Sequence, residues 1–329
     1  MNVGLIGYGY WGPKIARNIF QLKDCKLVRV TDINPERLVS LKESSFDIAA
    51  TTENEDIFRD DNIESVVISS YASTHYNLAK KALEVGKNVL VEKPLTTSRR
   101  QAEELLNLSL KKNLTLMIDY TYLYSNAILE IKKILKEPGF EKIKVVESNR
   151  SNFGWIRNDV NVMFDLATHD ISILSFVLDK KPVTVRAIGF KLQGKLEQIS
   201  QIFLHYADGC YASVYCSWIS PYKVRKMNFI TGEKSICYDD LSQGSKVEIF
   251  DNNVSWHPVD DDLLLDAQIQ KTSLYIKFEE PLFSMVSEFK QAVTYKSIPR
   301  SNINLGLDVI HILEKAWESM NQGGKEIEI

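Results

Sequence analysis

Three glycines near the start of the chain constrain its fold more than any other feature. Gly7 ends the apolar run "NVGLIG", Gly9 and Gly12 follow in the turn, and the helical pattern "PKIARNIF" begins directly after Gly12. In a strand–turn–helix unit the first glycine permits a tight turn, the second lets the backbone approach a pyrophosphate, and the third lets the helix pack closely on the sheet. The turn therefore predicts a dinucleotide site at the start of a doubly wound α/β domain.

The first 120 residues repeat this alternation of short apolar runs and helical patterns. Strands are predicted over 2–7, 26–32, 65–70, 88–94 and 114–119, and helices over 13–20, 74–86 and 98–113. Such alternation implies right-handed βαβ units and a mostly parallel sheet covered on both faces. We expect residues 1–120 to form a dinucleotide-binding Rossmann domain.

The pattern changes after residue 120. A predicted helix over 126–137 is followed by alternating runs that flank turn residues at 207–209, 231–233 and 251–253, and each turn is a hairpin signal. Further helices are predicted near 164–178, 282–294 and 303–322. We expect residues 121–329 to form an α+β domain on a large, mostly antiparallel open sheet, with the helix over 303–322 a candidate to pack back on the first domain.

Composition excludes several classes of protein. The chain of 329 residues carries a net charge of −3 with both signs interspersed, so no general field attracts nucleic acid or an anionic membrane. Its four cysteines are scattered without a C-x-x-C pair, which indicates neither a zinc site nor a disulfide framework. No apolar run approaches the roughly 18 residues of a membrane span. We expect a cytoplasmic protein without nucleic-acid, membrane or metal partners.

Asp32 ends the second predicted strand, where the ribose 2′-hydroxyl of a dinucleotide is expected. A carboxylate there would repel a 2′-phosphate, and Ile33 and Asn34 supply no arginine to reverse that preference. The sequence therefore predicts NAD rather than NADP as the cofactor.

The stretch "NVLVEKP" places Glu92 and Lys93 at the carboxyl end of a predicted central strand, the edge at which open α/β sheets bind ligands. Pro94 cannot continue the ladder, so the chain turns there. Two interpretations stay open from spacing alone: a functional lysine, or charged residues that only reach solvent.

In "FDLATHDISIL", Asp165 and His169 are four residues apart and share one face of a predicted helix. A carboxylate can fix the tautomer of a histidine and raise its basicity, as a general base requires. The structural alternative is an N-capping aspartate followed by a buried histidine. Asp170 is expected to be a solvated or capping group, and a lone histidine does not indicate a metal site.

Together, "IGYGYWGPKIARN", "ALEVGKNVLVEKPLTT" and "NVMFDLATHDISIL" resemble, in order and spacing, the Gfo/Idh/MocA oxidoreductase family. The resemblance implies a Rossmann domain, an open C-terminal sheet used for oligomer contacts, and oxidation or reduction of a sugar or cyclitol carbon with NAD or NADP. It implies that Lys93 binds the reacting oxygen, that Asp165 and His169 lie beside the substrate, and that His75 lies near the nicotinamide.

The residues expected at the site follow from these motifs. The catalytic residues are Lys93, His169 and Asp165. The cofactor contacts are expected to be Gly7, Gly9, Tyr10, Trp11, Gly12, Asp32, Ser69, His75, Glu92 and Lys93. The substrate contacts are expected to be Lys93, Tyr120, Arg157, Asn161, Asp165 and His169.

The chain also departs from the family pattern: Asp119-Tyr120 stands where Gly-His is frequent, and Thr168 where Pro or Cys is common. The segment with Arg157 and Asn161 is most similar to members of the UDP-N-acetylglucosamine 3-dehydrogenase type, which act on nucleotide-activated sugars. Arg157 is then a candidate to grip a diphosphate or a sugar oxygen.

The resulting prediction is NAD-dependent oxidation of a secondary hydroxyl, at C3, of a nucleotide-activated sugar to the ketone. Two alternatives stay open: a dehydrogenase of a free sugar or inositol, and a non-catalytic NAD-binding regulator. We expect a homodimer or homotetramer formed through the C-terminal sheet.

Overall fold

The chain divides into two units, and the computed structural model describes residues 1–42, 48–140, 142–259 and 262–329. The first unit comprises Met1–Tyr124 and Glu279–Glu314, and the second comprises Ser125–Phe278 and Lys315–Ile329.

A parallel sheet forms the centre of the first unit. Its strands lie in the order β3-β2-β1-β4-β5-β6, and every neighbouring pair is parallel. This is the doubly wound order, in which the direction of winding reverses between β1 and β4. The strands are β1 (Asn2–Ile6), β2 (Lys26–Thr31), β3 (Ala49–Thr51), β4 (Ser65–Ile68), β5 (Asn88–Glu92) and β6 (Leu116–Asp119).

Most of the helices begin and end within a few residues of the predicted bounds. The α-helices of the described residues are α1 (Gly12–Gln21), α2 (Val39–Lys42), α3 (Glu55–Phe58), α4 (Ala72–Glu84), α5 (Arg99–Lys112), α6 (Asn126–Ile134), α7 (Thr168–Leu178), α8 (Pro281–Tyr295) and α9 (Ile303–Asn321). The sequence did not predict α2, α3 or β3, because elements of three or four residues are too short to show a period. None of the helices in the described part of the chain is long and apolar enough to cross a bilayer.

The central strands of the first unit are mostly apolar and buried. β4 and β5 are buried at every position, and β1 is buried from Val3 onward. Side chains of a strand alternate between faces, so burial at every position means that helices cover both faces of the sheet. The carboxyl ends of these strands are thereby held at one edge by a packed core.

The second unit contains a nine-stranded sheet in the order β14-β13-β12-β11-β7-β10-β9-β8-β15. β7 and β10 are parallel, and the other neighbours are antiparallel. The mostly antiparallel sheet confirms the predicted fold class. Its strands are β7 (Val145–Phe153), β8 (Pro182–Phe190), β9 (Ile199–Tyr206), β10 (Tyr211–Ser217), β11 (Ile219–Ile230), β12 (Lys234–Asp239), β13 (Val247–Val259), β14 (Asp262–Ser273) and β15 (Ile327–Glu328).

Two of the three predicted hairpins are present. The turn at 207–209 joins β9 to β10, and the turn at 231–233 joins β11 to β12. The hairpin predicted at 251–253 is wrong, because β13 continues through these residues and pairs with β14 up to Val259. Asp and Asn disfavour strands only weakly, and pairing along a long ladder outweighs that preference.

The helix predicted over 164–178 is present, but its first turn is a π turn and not an α turn. Residues Met163–Ala167 form one π-helical turn, and α7 continues from Thr168. The prediction that Asp170 is solvated is wrong: its side chain is 1% exposed and accepts two hydrogen bonds from Arg150 of β7, at 2.8 and 3.1 Å. A buried carboxylate requires such a charged partner, and the pair ties α7 to the sheet.

Candidate functional site

The predicted cofactor residues of the first unit lie at one edge of its parallel sheet. Gly7 follows β1, Asp32 follows β2, Ser69 follows β4, and Lys93 follows β5. Because these strands are parallel neighbours, their carboxyl ends share one edge. This is the edge at which doubly wound sheets bind nucleotides.

The glycine-rich turn has the geometry of a phosphate cradle. Gly7 has φ +93°, and an added Cβ would overlap the carbonyl oxygen of Ser69. A Cβ at Gly12 would lie 2.5 Å from the oxygen of Gly7, whereas one at Gly9 would meet nothing closer than Arg37 Nη1 at 3.7 Å. Gly7 and Gly12 are therefore required by the turn itself, and the open side of Gly9 leaves its backbone accessible to a pyrophosphate. The cradle fits a dinucleotide.

Tyr10 and Trp11 form the outer part of this turn and are 74% and 40% exposed. Their rings are edge to face at 5.4 Å, and the ammonium of Lys14 lies 3.3 Å from the Tyr10 ring centre. α1 carries no acidic residue in its first turn. The start of α1 therefore combines helix-terminal N–H groups with a lysine, an arrangement that favours an anion.

Asp32 is 4% exposed, and its carboxylate holds the turn to the end of β2. It accepts hydrogen bonds from the backbone N–H groups of Tyr8 at 2.7 Å and Asn34 at 2.9 Å. Arg37 of the 3₁₀ helix Pro35–Leu38 places Nη1 3.3 Å from Asp32 Oδ2. The sequence analysis considered only the two residues after Asp32 and missed this arginine. A basic residue in the short helix that follows Asn34 could have indicated it.

His75 of α4 is 1% exposed and connects two of the turns at this edge. Its Nδ1 lies 2.8 Å from the carbonyl oxygen of Pro94, and its Nε2 lies 3.2 Å from that of Ser70. Ser69 is held separately, because its N–H donates to Ile6 at 2.7 Å. These contacts place His75 between the turns that follow β4 and β5, and its contact with the cofactor stays a prediction.

Lys93 is partly exposed directly after β5, and its peptide bond to Pro94 is cis. The carboxyl group of Glu92 is buried and accepts the N–H of Lys93 at 3.1 Å. Burial and the neighbouring charge of Asp119 hold the pKa of Glu92 well above its usual range. Tyr120 is fully buried, and burial raises the pKa of its phenol, so this side chain presents no polar group to solvent.

In the second unit, Asp165 lies in the π-helical turn, where it accepts one hydrogen bond and forms one ion pair. Trp218 donates its Nε1–H to Asp165 Oδ2 at 2.9 Å, and Arg157 Nη1 lies 3.6 Å from Oδ1. Arg157 also forms two hydrogen bonds to Asp159, at 2.9 and 2.8 Å. The sequence missed Trp218 and Asp159. Trp218 is 53 residues from Asp165, and only the fold brings the two together.

His169 follows in the first turn of α7, and its carbonyl oxygen accepts a hydrogen bond from Ser172 at 2.7 Å. A π turn closes its hydrogen bond at i+5 instead of i+4, so positions four apart, such as 165 and 169, still lie on nearly one face. Such π turns occur often at functional sites. Orientation of His169 by Asp165 stays a prediction.

Asn161 is buried, and both the oxygen and the nitrogen of its side-chain amide form hydrogen bonds within the second unit. Its oxygen accepts the N–H of Phe164 at 3.1 Å, and its Nδ2 donates to Glu197 at 3.0 Å. It therefore stabilises the start of the π turn, and its predicted contact with substrate stays untested. Within the described ranges, no cluster of three or more His, Cys, Asp or Glu could hold a metal ion.

Two family models match the chain. The model described as "Oxidoreductase family, NAD-binding Rossmann fold" matches residues 1–120, and the "GFO/IDH/MocA C-terminal domain" matches residues 130–236.

Known proteins agree with these matches. The UDP-N-acetylglucosamine 3-dehydrogenase of Acidithiobacillus ferrooxidans is 24% identical over 74% of this chain and 75% of its own length. The myo-inositol 2-dehydrogenase of Thermotoga maritima is 22% identical over 84% of this chain and 82% of its own length. The solved structure of the Acidithiobacillus enzyme GnnA superposes with a TM-score of 0.82 at 20% identity, covering 98% of both chains.

A further solved structure, GenD2 from gentamicin A biosynthesis in complex with NAD, has a TM-score of 0.83 at 21% identity and covers 100% of this chain and 96% of its own. The predicted family, fold class and cofactor are thereby confirmed. The chain belongs to the Gfo/Idh/MocA family, and it is an NAD-dependent oxidoreductase that acts on CH–OH groups.

Proposed function

We propose that the chain oxidises a secondary hydroxyl, at C3, of a nucleotide-activated sugar such as UDP-N-acetylglucosamine. The catalytic part of this proposal rests on Asp165, which lies one helical turn before His169. Asp165 accepts a hydrogen bond from Trp218 and forms an ion pair with Arg157. A carboxylate held by a hydrogen bond and an ion pair is oriented, and an oriented carboxylate is what a histidine base beside it requires.

In this proposal each side chain has one task. His169 accepts the proton of the substrate hydroxyl, and Asp165 fixes the imidazole. Lys93 donates a hydrogen bond to the same oxygen and stabilises the negative charge that develops there. Bound NAD supplies the hydride acceptor.

Two observations support a nucleotide sugar over other hydroxyl substrates. The Acidithiobacillus relative named for UDP-N-acetylglucosamine matches both in sequence and in fold. The end of β7 and the segment after it also expose flat apolar side chains, with Phe153 76% and Trp155 92% exposed. Aromatic faces of this kind stack on a nucleobase.

The partners of Arg157 within the protein bear on its predicted role. Its guanidinium already binds the carboxylates of Asp159 and Asp165, so its charge is largely neutralised within the protein. A neutralised guanidinium attracts a diphosphate weakly. We therefore infer that Arg157 binds Asp159 and supports Asp165 by its charge, while its contact with a diphosphate stays a prediction.

A dehydrogenase of inositol or a free sugar is the second candidate, because the Thermotoga relative named for myo-inositol matches over more of the chain. The deciding experiment follows NADH formation with UDP-N-acetylglucosamine, N-acetylglucosamine and myo-inositol as separate substrates. We expect the highest kcat/KM with the nucleotide sugar and a 3-keto product by mass spectrometry. Faster turnover of either free compound would favour the second candidate, and tight NAD binding without any turnover would favour a regulator.

We propose further that copies of the chain associate through the open face of the nine-stranded sheet. By strand register, Ile188 of β8, Phe203 of β9 and Tyr211 of β10 lie on one face, and they are 53%, 46% and 54% exposed. Neighbouring apolar side chains of this size are typical of an interface. Analytical ultracentrifugation is expected to show a dimer or tetramer.

The proposed cytoplasmic location is supported by the four cysteines, all of which are free thiols.

A further inference from the structure

Two buried carboxyl groups lie side by side at the ligand-binding edge of the first unit. Glu92 is the last residue of β5 and Asp119 the last residue of β6, and the two are paired in the register of these strands. They are 8% and 3% exposed, and each is within hydrogen-bonding reach of the other. Two carboxylates cannot both be charged at this distance in a buried place without a large cost, so the pair retains a proton.

The surrounding donors decide which carboxyl group carries that proton. Asp119 Oδ1 accepts the backbone N–H of Thr121 at 3.1 Å and also its hydroxyl, so the charged form of Asp119 is stabilised. Asp119 Oδ2 is buried and accepts no hydrogen bond from an N–H or hydroxyl group of the described residues. A protonated Glu92 would supply the missing donor. Glu92 itself accepts one backbone N–H, that of Lys93.

The charges near the pair are consistent with this assignment. The positive charge of Lys93 acts on both carboxyl groups, and burial raises the pKa of both. The other titratable groups beside them are His75 of α4, bound to the carbonyl oxygen of Pro94, and Tyr120, a buried phenol next in sequence to Asp119. With Glu92 neutral, the lysine and Asp119 balance each other, and no second negative charge is buried beside them.

We propose that Asp119 is a positioning residue: it keeps Glu92 protonated, so that an ionised Glu92 does not compete with the substrate oxygen for Lys93. The proposal rests on the proposed function in one respect, the contact of Lys93 with the reacting oxygen. It also gives the aspartate at position 119 a role, because its negative charge and its acceptor oxygen both favour the protonated form of Glu92.

The kinetic test uses a rescue. In Asp119→Asn the amide can donate to Glu92, which then ionises beside Lys93, and we expect kcat for sugar oxidation to fall about tenfold, the effect of one competing charge. In the double variant Glu92→Gln/Asp119→Asn no carboxylate remains, and most of the lost kcat is expected to return. The matched control is Asp61→Asn, an exposed aspartate of the same unit, which is expected to behave like the parent.

A second readout does not depend on the substrate. The pKa of Glu92 is higher in the folded than in the unfolded chain, so the folded protein binds one more proton between these two values, and the free energy of unfolding falls as pH rises through that window. We expect the thermal midpoint of the parent and of Asp61→Asn to decrease from mildly acidic toward alkaline pH. The double variant should lose this part of the decrease.

The two readouts separate the possible failures. If no sugar is oxidised by the parent protein, the proposed function fails, and the pH dependence of the thermal midpoint alone decides whether Glu92 holds the proton. Equal kcat loss in Asp119→Asn and in the double variant would overturn the positioning role. The same conclusion follows if the thermal midpoints of the parent and the double variant change identically with pH.

Discussion

Replacing Trp218 by Phe tests the support of Asp165 most directly. Trp218 is 2% exposed, and its Nε1–H donates to a carboxylate at 2.9 Å. Phenylalanine keeps an aromatic ring but has no N–H, so the substitution removes the hydrogen bond while most of the packing remains. The backbone contacts of Trp218, an N–H to Gln198 at 3.0 Å and a carbonyl oxygen to Gly154 at 3.0 Å, are unchanged by it.

The size of the effect follows from the type of bond. A hydrogen bond to a charged group contributes about 1.5–3 kcal/mol, and ~1.4 kcal/mol in a barrier is a factor of ten in rate. If the bond holds Asp165 for catalysis, Trp218→Phe should lower kcat by about 10- to 100-fold. Part of the same loss should appear in the free energy of unfolding, since the acceptor is left with one donor fewer.

The assay compares kcat, the dissociation constant for NAD and urea-induced unfolding of Trp218→Phe with those of Trp317→Phe. Trp317 is 45% exposed in α9, so its replacement controls for the loss of an indole. We expect the dissociation constant for NAD to be unchanged in both variants, because Trp218 is not part of the first unit. A Trp218→Phe protein with the kcat of the control would refute the role of this bond in catalysis.

Three further predictions concern the other residues of the site. Lys93→Ala and His169→Ala should each lower kcat about 10²–10⁴-fold with NAD affinity little changed, measured by NADH formation and by cofactor titration. Arg37→Ala removes the positive charge beside Asp32, so the ratio of kcat/KM for NAD over NADP should rise about tenfold; an unchanged ratio would mean that Arg37 is too exposed to act on a 2′-phosphate. Trp155→Ala should raise KM for UDP-N-acetylglucosamine about tenfold by loss of base stacking, and equal changes for N-acetylglucosamine would contradict a nucleobase contact.

The sequence predicted the parts of the fold that depend on local patterns. The apolar runs that became β1, β4 and β5 are buried at nearly every position, and a continuous apolar run has few alternatives to a central strand. Gly7 and Gly12 could be interpreted from spacing because the turn leaves no room for a side chain at either position. The hairpin at 251–253 failed because its Asp and Asn residues indicated a turn, while pairing with a distant strand determined the structure.

The side chains that the sequence missed act over long distances. Trp218 meets Asp165 from the end of a strand, and Arg150 meets Asp170 across the layer between β7 and α7. No local sequence pattern predicts such a pair, since each residue is compatible with its own helix or strand whether or not its partner is present. Arg37 is an intermediate case, because it is close to Asp32 in sequence and needs only one short 3₁₀ turn to reach it.

Asp170 and Asp119 show why charge alone is a poor guide to position. Asp170 was expected to be a solvated or capping group, and no position was predicted for Asp119; both are buried, but the consequences differ. Asp170 is matched by the two hydrogen bonds of Arg150, so its charge is balanced and it stabilises the layer packing. Asp119 is matched by Thr121 on one oxygen and by another carboxyl group on the other, and such a pair must hold a proton. A buried charge with a full partner is therefore part of the scaffold, whereas two buried acids that share a proton make the charge at this edge of the sheet depend on pH.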